Sequence, residues 1–327
     1  MFILGLQGSP RKNGNTDVML RTFMEKAGQA GAATHTIQVA KAGVAACKGC
    51  GYCESHGRCV ITDDPMATEI FGLIRKADLV VAASPVYFYG ISAQLKGLID
   101  RCQTFWSRKY VYKLKDPLAA TRQGILFSVA ASRGRQLFDG IHLTAKYFFD
   151  AIDARFEHAL TYRGVESKGA IREHEKLEAD IDALIEKTVR PMLSRKQILF
   201  VSPQGACRAP LAAALAQAQH GDQVCTGFAG LTPASALSPT MIQAIEARGM
   251  DLGYRKPVGM DQTLSGTPPD LIVVMDKTIP DNLVPGVKTK HWPLSAPDAD
   301  DHAAMERLIG EVETHIETLI TQHGQRK

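Results

Sequence analysis

The chain reads as α/β throughout, arranged as two successive doubly wound parallel sheets. Two observations predict this. Short, continuous apolar runs alternate with longer amphipathic stretches, the pattern of strands covered by helices on both faces. The alternation also restarts once, after Arg190-Pro191, and 327 residues are enough for about two domains. The composition, 45% hydrophobic and 22% charged, is that of an ordinary globular protein.

In the first half, strands are expected at Phe2–Gln7, Thr34–Val39, Leu79–Ala83, Gly124–Ala130 and Phe156–Thr161. Helices are expected to start near Asn15, Pro65, Ser92, Arg135 and Glu173. Five such units make a flavodoxin-like sheet, with ligands bound beyond the carboxyl ends of its strands. A long amphipathic helix closes this half near Arg190-Pro191. The second cycle starts at Gln197–Val201, continues with a buried strand at Leu271–Met275 and ends in a charged helix from about Asp300. The boundaries fall at 1–192 and 196–327. No low-complexity linker separates the halves, so they are expected to pack together.

The net charge of +4 is small and dispersed, which argues against nucleic acid as a partner. Arg108-Lys109 and Lys113-Leu114-Lys115 read as a solvated loop. No apolar run is long enough to span a bilayer. Met1–Gly8 has no charged leader and turns directly into a glycine motif, so it reads as a strand rather than a signal peptide. Clustered cysteines without secretion signals point to the reducing cytoplasm.

Four of the seven cysteines crowd into CKGCGYCESHGRC: Cys47, Cys50, Cys53 and Cys59. A core that used cysteine as a small hydrophobe would scatter them. Thiolates at this spacing can wrap one cubane iron–sulfur cluster. Zinc and free thiols are the alternatives, but zinc sites more often pair two hairpins across a longer spacer. The last step differs from the ferredoxin pattern, and no proline follows the fourth cysteine. Gly49, Gly51 and Gly57 supply the permissive backbone that a tight wrap needs. Cys102 and Cys225 read as buried thiols.

Gly8-Ser9-Pro10-Arg11-Lys12-Asn13-Gly14-Asn15-Thr16 joins an apolar strand to a helix. Such a loop offers free N–H groups and hydroxyls at a positive helix end, which suits a phosphate, although a capped turn is the plainer reading. A second loop, Ala83-Ser84-Pro85-Val86-Tyr87-Phe88-Tyr89-Gly90, brings backbone polar groups and aromatic faces to the same edge. A third, Ala131-Ser132-Arg133-Gly134, closes that side.

Together, GSPRKNGNT, ASPVYFYGISAQLKGLIDR and the cysteine run ending in Val60-Ile61-Thr62-Asp63-Asp64 resemble the NADPH-dependent FMN reductase superfamily, and more narrowly its iron–sulfur flavoproteins. The resemblance implies that Ser9, Arg11, Asn15 and Thr16 hold the FMN phosphate. It places Pro85, Val86, Tyr87 and Phe88 along the isoalloxazine, with Ser132 and Gly134 nearby. It further implies a 4Fe–4S cluster on Cys47, Cys50, Cys53 and Cys59, a ferredoxin-like donor or NAD(P)H, a small-molecule acceptor, and a dimer or tetramer. No GxGxxG motif indicates a tightly held dinucleotide.

In the second half, Ile198–Pro210 reads strand, loop, helix. With Cys225–Gly230 and Asp270–Asp276 it resembles the low-molecular-weight tyrosine phosphatases and arsenate reductases. Their loop uses a cysteine nucleophile and an arginine to cradle an oxyanion. Here Ser202 stands at the nucleophile position, Pro203 removes an N–H donor, Gly205 replaces the loop asparagine, and Ala296-Pro297 replaces the acid-bearing Asp-Pro. This half is expected to be catalytically silent. Arg208 remains as a candidate anion ligand or as a structural tie.

Three functions are therefore open. One is an FMN oxidoreductase with a 4Fe–4S cluster. Another is an NAD(P)H-dependent FMN or quinone reductase without a cluster. The third is a redox- or anion-sensing binding protein.

Overall fold

The computed structural model describes residues 1–263, 268–298 and 300–324. They fall into two units, Met1–Lys113 with Ala119–Leu193, and Leu114–Leu118 with the described residues from Ser194 onward. Both are parallel α/β sheets.

The first unit runs β1 (Phe2–Gln7), α1 (Asn15–Gln29), β2 (Ala33–Gln38), α2 (Tyr52–His56), α3 (Phe71–Lys76), β3 (Leu79–Pro85), α4 (Ala93–Arg101), α5 (Gln103–Tyr110), β4 (Gln123–Ala130), α6 (Asp139–Ala151), β5 (Arg155–Arg163), α7 (Leu177–Leu184) and α8 (Arg190–Leu193). Its strands are ordered β2-β1-β3-β4-β5, all parallel. The order reverses between β1 and β3, the switch point where such sheets take ligands. Strands β1, β3 and β4 are almost wholly buried because helices cover both faces. On one face, α1 buries Val18, Met19, Leu20, Phe23, Met24 and Ala27. Ile3, Val81, Ile125 and Phe127 belong to the same cluster.

Several elements depart from expectation. The helix after β4 begins at Asp139, not Arg135, because Leu137 and Phe138 are drawn into a small cluster with Ala130 and Val86. The helix expected from Glu173 begins at Leu177, after a 3-10 turn at Ala170–Glu173. A π-helical turn, Met66–Ile70, precedes α3. Arg108 and Lys109 lie on α5 rather than in a solvated loop. Lys109 Nζ donates to the Asp150 carbonyl at 2.7 Å and to its carboxylate at 2.9 Å.

The second unit runs β6 (Lys196–Ser202), α9 (Arg208–His220), β7 (Val224–Gly230), α10 (Pro239–Ala247), α11 (Met260–Thr263), β8 (Leu271–Val274), β9 (Lys288–His291) and α12 (His302–Gly324). Its strand order is β7-β6-β8-β9, again parallel. Alanine-rich α9 is buried over most of its length and packs with α10 and α12 on one face. Leu199, Val201, Ile272, Val274 and Ile279 form the core of the other face. Leu114–Leu118 also belongs to this unit. Leu114 is buried, Lys115 N donates to Gly249 O at 2.8 Å, and Asp251 N donates to Lys115 O at 2.8 Å. Lys113 and Lys115 are exposed, as expected of a solvated loop, and only Leu114 departs from it by being buried.

Among the described residues, no helix is long and apolar enough to cross a membrane.

Candidate cofactor and cysteine site

The loops after β1, β3 and β4 meet at the carboxyl edge of the first sheet through a run of buried serines. Ser92 caps α4, its Oγ accepting from Leu95 N. The same hydroxyl donates to Gly8 O at 2.6 Å, and Ser92 N donates to Ser84 Oγ at 2.9 Å. Ser128 Oγ donates to Ser84 O at 2.8 Å. These contacts set the spacing of the three loops. The sequence reading missed Ser84 and Ser128, since a hydroxyl inside an apolar strand carries no local signal of its partner.

In the first loop, Ser9 and Thr16 are buried while Arg11 is exposed. Ser9 Oγ accepts from Arg11 N at 3.2 Å, and Gln7 Oε1 accepts from Ser9 N at 2.9 Å. The first N–H groups of α1 have no intrahelical acceptor, so this end is polarised to receive an anion. Asn15 is employed differently. Its side-chain amide donates to Val165 O and Ser167 O and accepts from Ile171 N, fastening the loop after β5 onto α1.

In the second loop, Tyr87 and Gly90 exchange two backbone hydrogen bonds of 2.9 Å. Phe88 and Tyr89 between them have φ of 48° and 60°. This is the positive-φ pattern of a tight hairpin turn, where Asn-Gly is the usual occupant. Phe88 is fully exposed, and Tyr87 and Tyr89 are partly so. Pro85 and Val86 are half-buried, and Val86 N donates to Val129 O. In the third loop Ser132 is exposed, and Gly134 lies against the Tyr89 hydroxyl. The phosphate-type loop and the aromatic turn thus flank one edge, an arrangement that suits a flavin mononucleotide.

The cysteine segment occupies the connection from β2 to α3. Cys47 and Cys50 are exposed, Cys53 and Cys59 half-buried, and none of the cysteines is in a disulfide. The four line one cleft of about 440 Å³ with Glu54, Ile61, Asp100, Arg101, Gln103 and Thr104. Gly49 and Gly51 adopt φ of 61° and 68°, with nothing within 4 Å of where a Cβ would stand. The backbone there is left-handed and unobstructed, as a wrap around a bulky group needs. Among the described residues, no three His, Cys, Asp or Glu side chains already converge as a metal site. Four thiols on one cleft nonetheless form a donor set that fits an iron–sulfur cluster.

Arg101, one of the cleft residues, pairs with Asp64, and neither carries a local signal of that role in the sequence. Asp64 accepts from Ala45 N at 3.0 Å and Ala67 N at 3.1 Å. Burial pushes its carboxyl up, but hydrogen bonds from Arg101, Ala45 and Ala67 outweigh this and hold it below the ordinary carboxylate value. Burial likewise disfavours the charge on Arg101, yet the Asp64 hydrogen bond and the charge of Cys59 keep its pKa raised. Cys102 lies outside the cleft lining. It is fully buried, and burial drives its thiol pKa far up.

In the second unit, Ser202 is buried at the end of β6. Arg208 Nη1 donates to Met275 O at 2.8 Å and Leu294 O at 2.6 Å, and Nη2 donates to Asp276 Oδ2 at 2.8 Å. Its guanidinium is thereby engaged with protein. Burial raises the Cys207 thiol to about 11, which leaves little thiolate at neutral pH. Gly205, at φ of 60°, packs backbone to backbone against Gly230, where a Cβ would stand 2.7 Å from the Gly230 nitrogen. Ala296 is exposed.

Residues 1–143 match the family model described as NADPH-dependent FMN reductase. Residues 197–327 match the low molecular weight phosphotyrosine protein phosphatase model. An iron-sulfur flavoprotein of Methanocaldococcus jannaschii is 41% identical over 101 residues, covering 31% of this chain and 51% of that one. One from Methanosarcina thermophila is 37% identical over 133 residues, covering 41% and 65%. The chain thus spans about half to two thirds of the length of these two relatives. Arsenate reductase 2 of Staphylococcus epidermidis is 27% identical over 134 residues, covering 40% of this chain and 100% of that one. Among solved structures, the Trp repressor binding protein of Bacillus subtilis is 20% identical, covers 56% of this chain and 97% of that one, and gives a TM-score of 0.36. The arsenate reductase of Archaeoglobus fulgidus is 23% identical, covers 38% and 98%, and gives 0.34.

Proposed function

We propose that the first unit is an FMN-dependent oxidoreductase whose cysteine segment holds a 4Fe–4S cluster, passing electrons between cluster and flavin to a small acceptor. The observation that carries this reading is the placement of Cys47, Cys50, Cys53 and Cys59 on one cleft. The family match of residues 1–143 supports it. When bound, the cluster supplies one-electron transfer and the flavin couples one-electron to two-electron steps.

The chain's own residues act as holders and shields. Ser9 and Thr16 offer hydroxyls, and the amino end of α1 its N–H groups, to the flavin phosphate. Arg11 adds charge from the surface. Tyr87 and Phe88 present aromatic faces that cover the ring and exclude water from it. Ser84, Ser92 and Ser128 keep the loops at fixed spacing. A ferredoxin-like protein or NAD(P)H serves as donor, and the working form is a homo-oligomer in the cytoplasm. The second unit is a phosphatase-like domain without turnover.

The test is an anaerobic purification followed by absorbance and donor assays. The expected spectrum is flavin bands on a broad shoulder at roughly 400 nm, from thiolate-ligated iron. Flavin bands without iron, with rapid reduction by NADPH, would replace this reading with the cluster-free reductase. Absence of turnover with any donor would favour a sensor.

A further inference from the structure

Arg101 ends α4 with its side chain fully buried. Four of its five N–H groups meet oxygen. Nη1 donates to Ala45 O at 2.9 Å and Asp64 Oδ2 at 2.5 Å, and Nη2 donates to Ile61 O at 3.3 Å and Asp64 Oδ1 at 3.2 Å. Ala45 precedes Cys47 and Ile61 follows Cys59, so one guanidinium ties both ends of the cysteine segment. The fifth donor, on Nε, is buried without a hydrogen-bond partner. Arg101 and Cys59 line the same cleft, and Cys59 is among the groups that favour the charged guanidinium.

We propose that Arg101 is the positioning residue of the cysteine site: it holds residues 45–61 as one arc and gives its spare donor and charge to the Cys59 sulfur. This rests on the iron–sulfur reading above. Hydrogen bonds and charge at the sulfurs set a cluster's potential, and a neighbouring cation favours the reduced, more negative state. Lysine at this place would keep the charge but lose the planar fork that reaches both ends of the loop.

The experiment compares the full chain with R101K and R101Q after anaerobic purification. It reads iron, sulfide and FMN per chain, and the cluster's midpoint potential by redox titration. R101Q should keep FMN, lose iron, and shift its remaining cluster to a more negative potential. The expected change is about tenfold in the reduction equilibrium, or about 59 mV for a one-electron couple. R101K should restore the potential more than the occupancy. Wild-type iron content and potential in R101Q would overturn the proposal while leaving the cluster in place. If R101Q does not fold, wild-type occupancy in R101K overturns it equally. An iron-free wild-type chain would remove both this proposal and the function it rests on.

Discussion

Arg101 and Asp64 form a bidentate ion pair at the cysteine cleft, with the Arg101 side chain fully enclosed and that of Asp64 only 9% exposed. Two charges withdrawn from water in this way stabilise only when both are present and fully hydrogen-bonded. Asp64 meets that condition with Ala45 N and Ala67 N; Arg101 meets it at both Nη atoms, with two carbonyl oxygens beside the carboxylate, and leaves only Nε over.

Removing one partner leaves the other charge stranded. Asp64→Asn should therefore destabilise the first unit by about 3–5 kcal/mol, as breaking a buried pair does. Denaturant unfolding of the apoprotein measures it. A loss under about 1 kcal/mol, the range of surface pairs, would show that the pair contributes little.

The pair also has a pH signature. The folded Asp64 carboxyl titrates below its ordinary 3.8. A depressed carboxylate contributes stability that is present above that value and lost as pH falls through the folded pKa. Asp276 behaves alike: hydrogen bonds from the Thr278 hydroxyl and N–H, then from Arg208, bring it to about 2. Between pH 3.8 and about 2, wild type should lose stability more steeply than Asp276→Asn. Equal slopes would remove Asp276 from the account.

The second unit should show only background turnover on an aryl phosphate, and Ser202→Cys alone should not restore it. The new thiol would face a loop without the Pro203 N–H and an Arg208 already bound to Met275, Leu294 and Asp276. Turnover in S202C that disappears on Arg208→Ala would contradict this. Arg208→Ala itself should cost about 1–3 kcal/mol through the buried groups it leaves unpaired.

The Phe88-Tyr89 turn stores strain, since each left-handed non-glycine residue costs about 1–2 kcal/mol. Replacing the two by Asn-Gly should raise the thermal midpoint of the flavin-free protein and lower the affinity for FMN. An unchanged midpoint would mean the turn is not strained, and FMN binding as tight as wild type would mean it is not at the flavin.

How much of this was legible in the sequence depended on whether a residue's partner was local. The strand Phe2–Gln7 was read to the residue because an apolar run buried on both faces needs no further context. Lys288–His291 was missed because a polar edge strand leaves no such run. Helix Gln103–Tyr110 was hidden by Arg108-Lys109, whose anchors lie far along the chain, as with Asp150. The cysteines declared themselves by spacing. Arg101 read as an ordinary basic residue at a helix end, because its partners lie 37 to 56 residues away. Nothing near Asn15 in the sequence signals the backbone groups its side chain meets 150 residues on.

The most direct test is the iron and acid-labile sulfide content of anaerobically purified protein, set against a variant with Cys47, Cys50, Cys53 and Cys59 all changed to serine. The account predicts about four of each per chain in the wild type. The variant should fall to background with its FMN retained. Iron-free wild type, zinc in its place, or metal unchanged by the serines would contradict it.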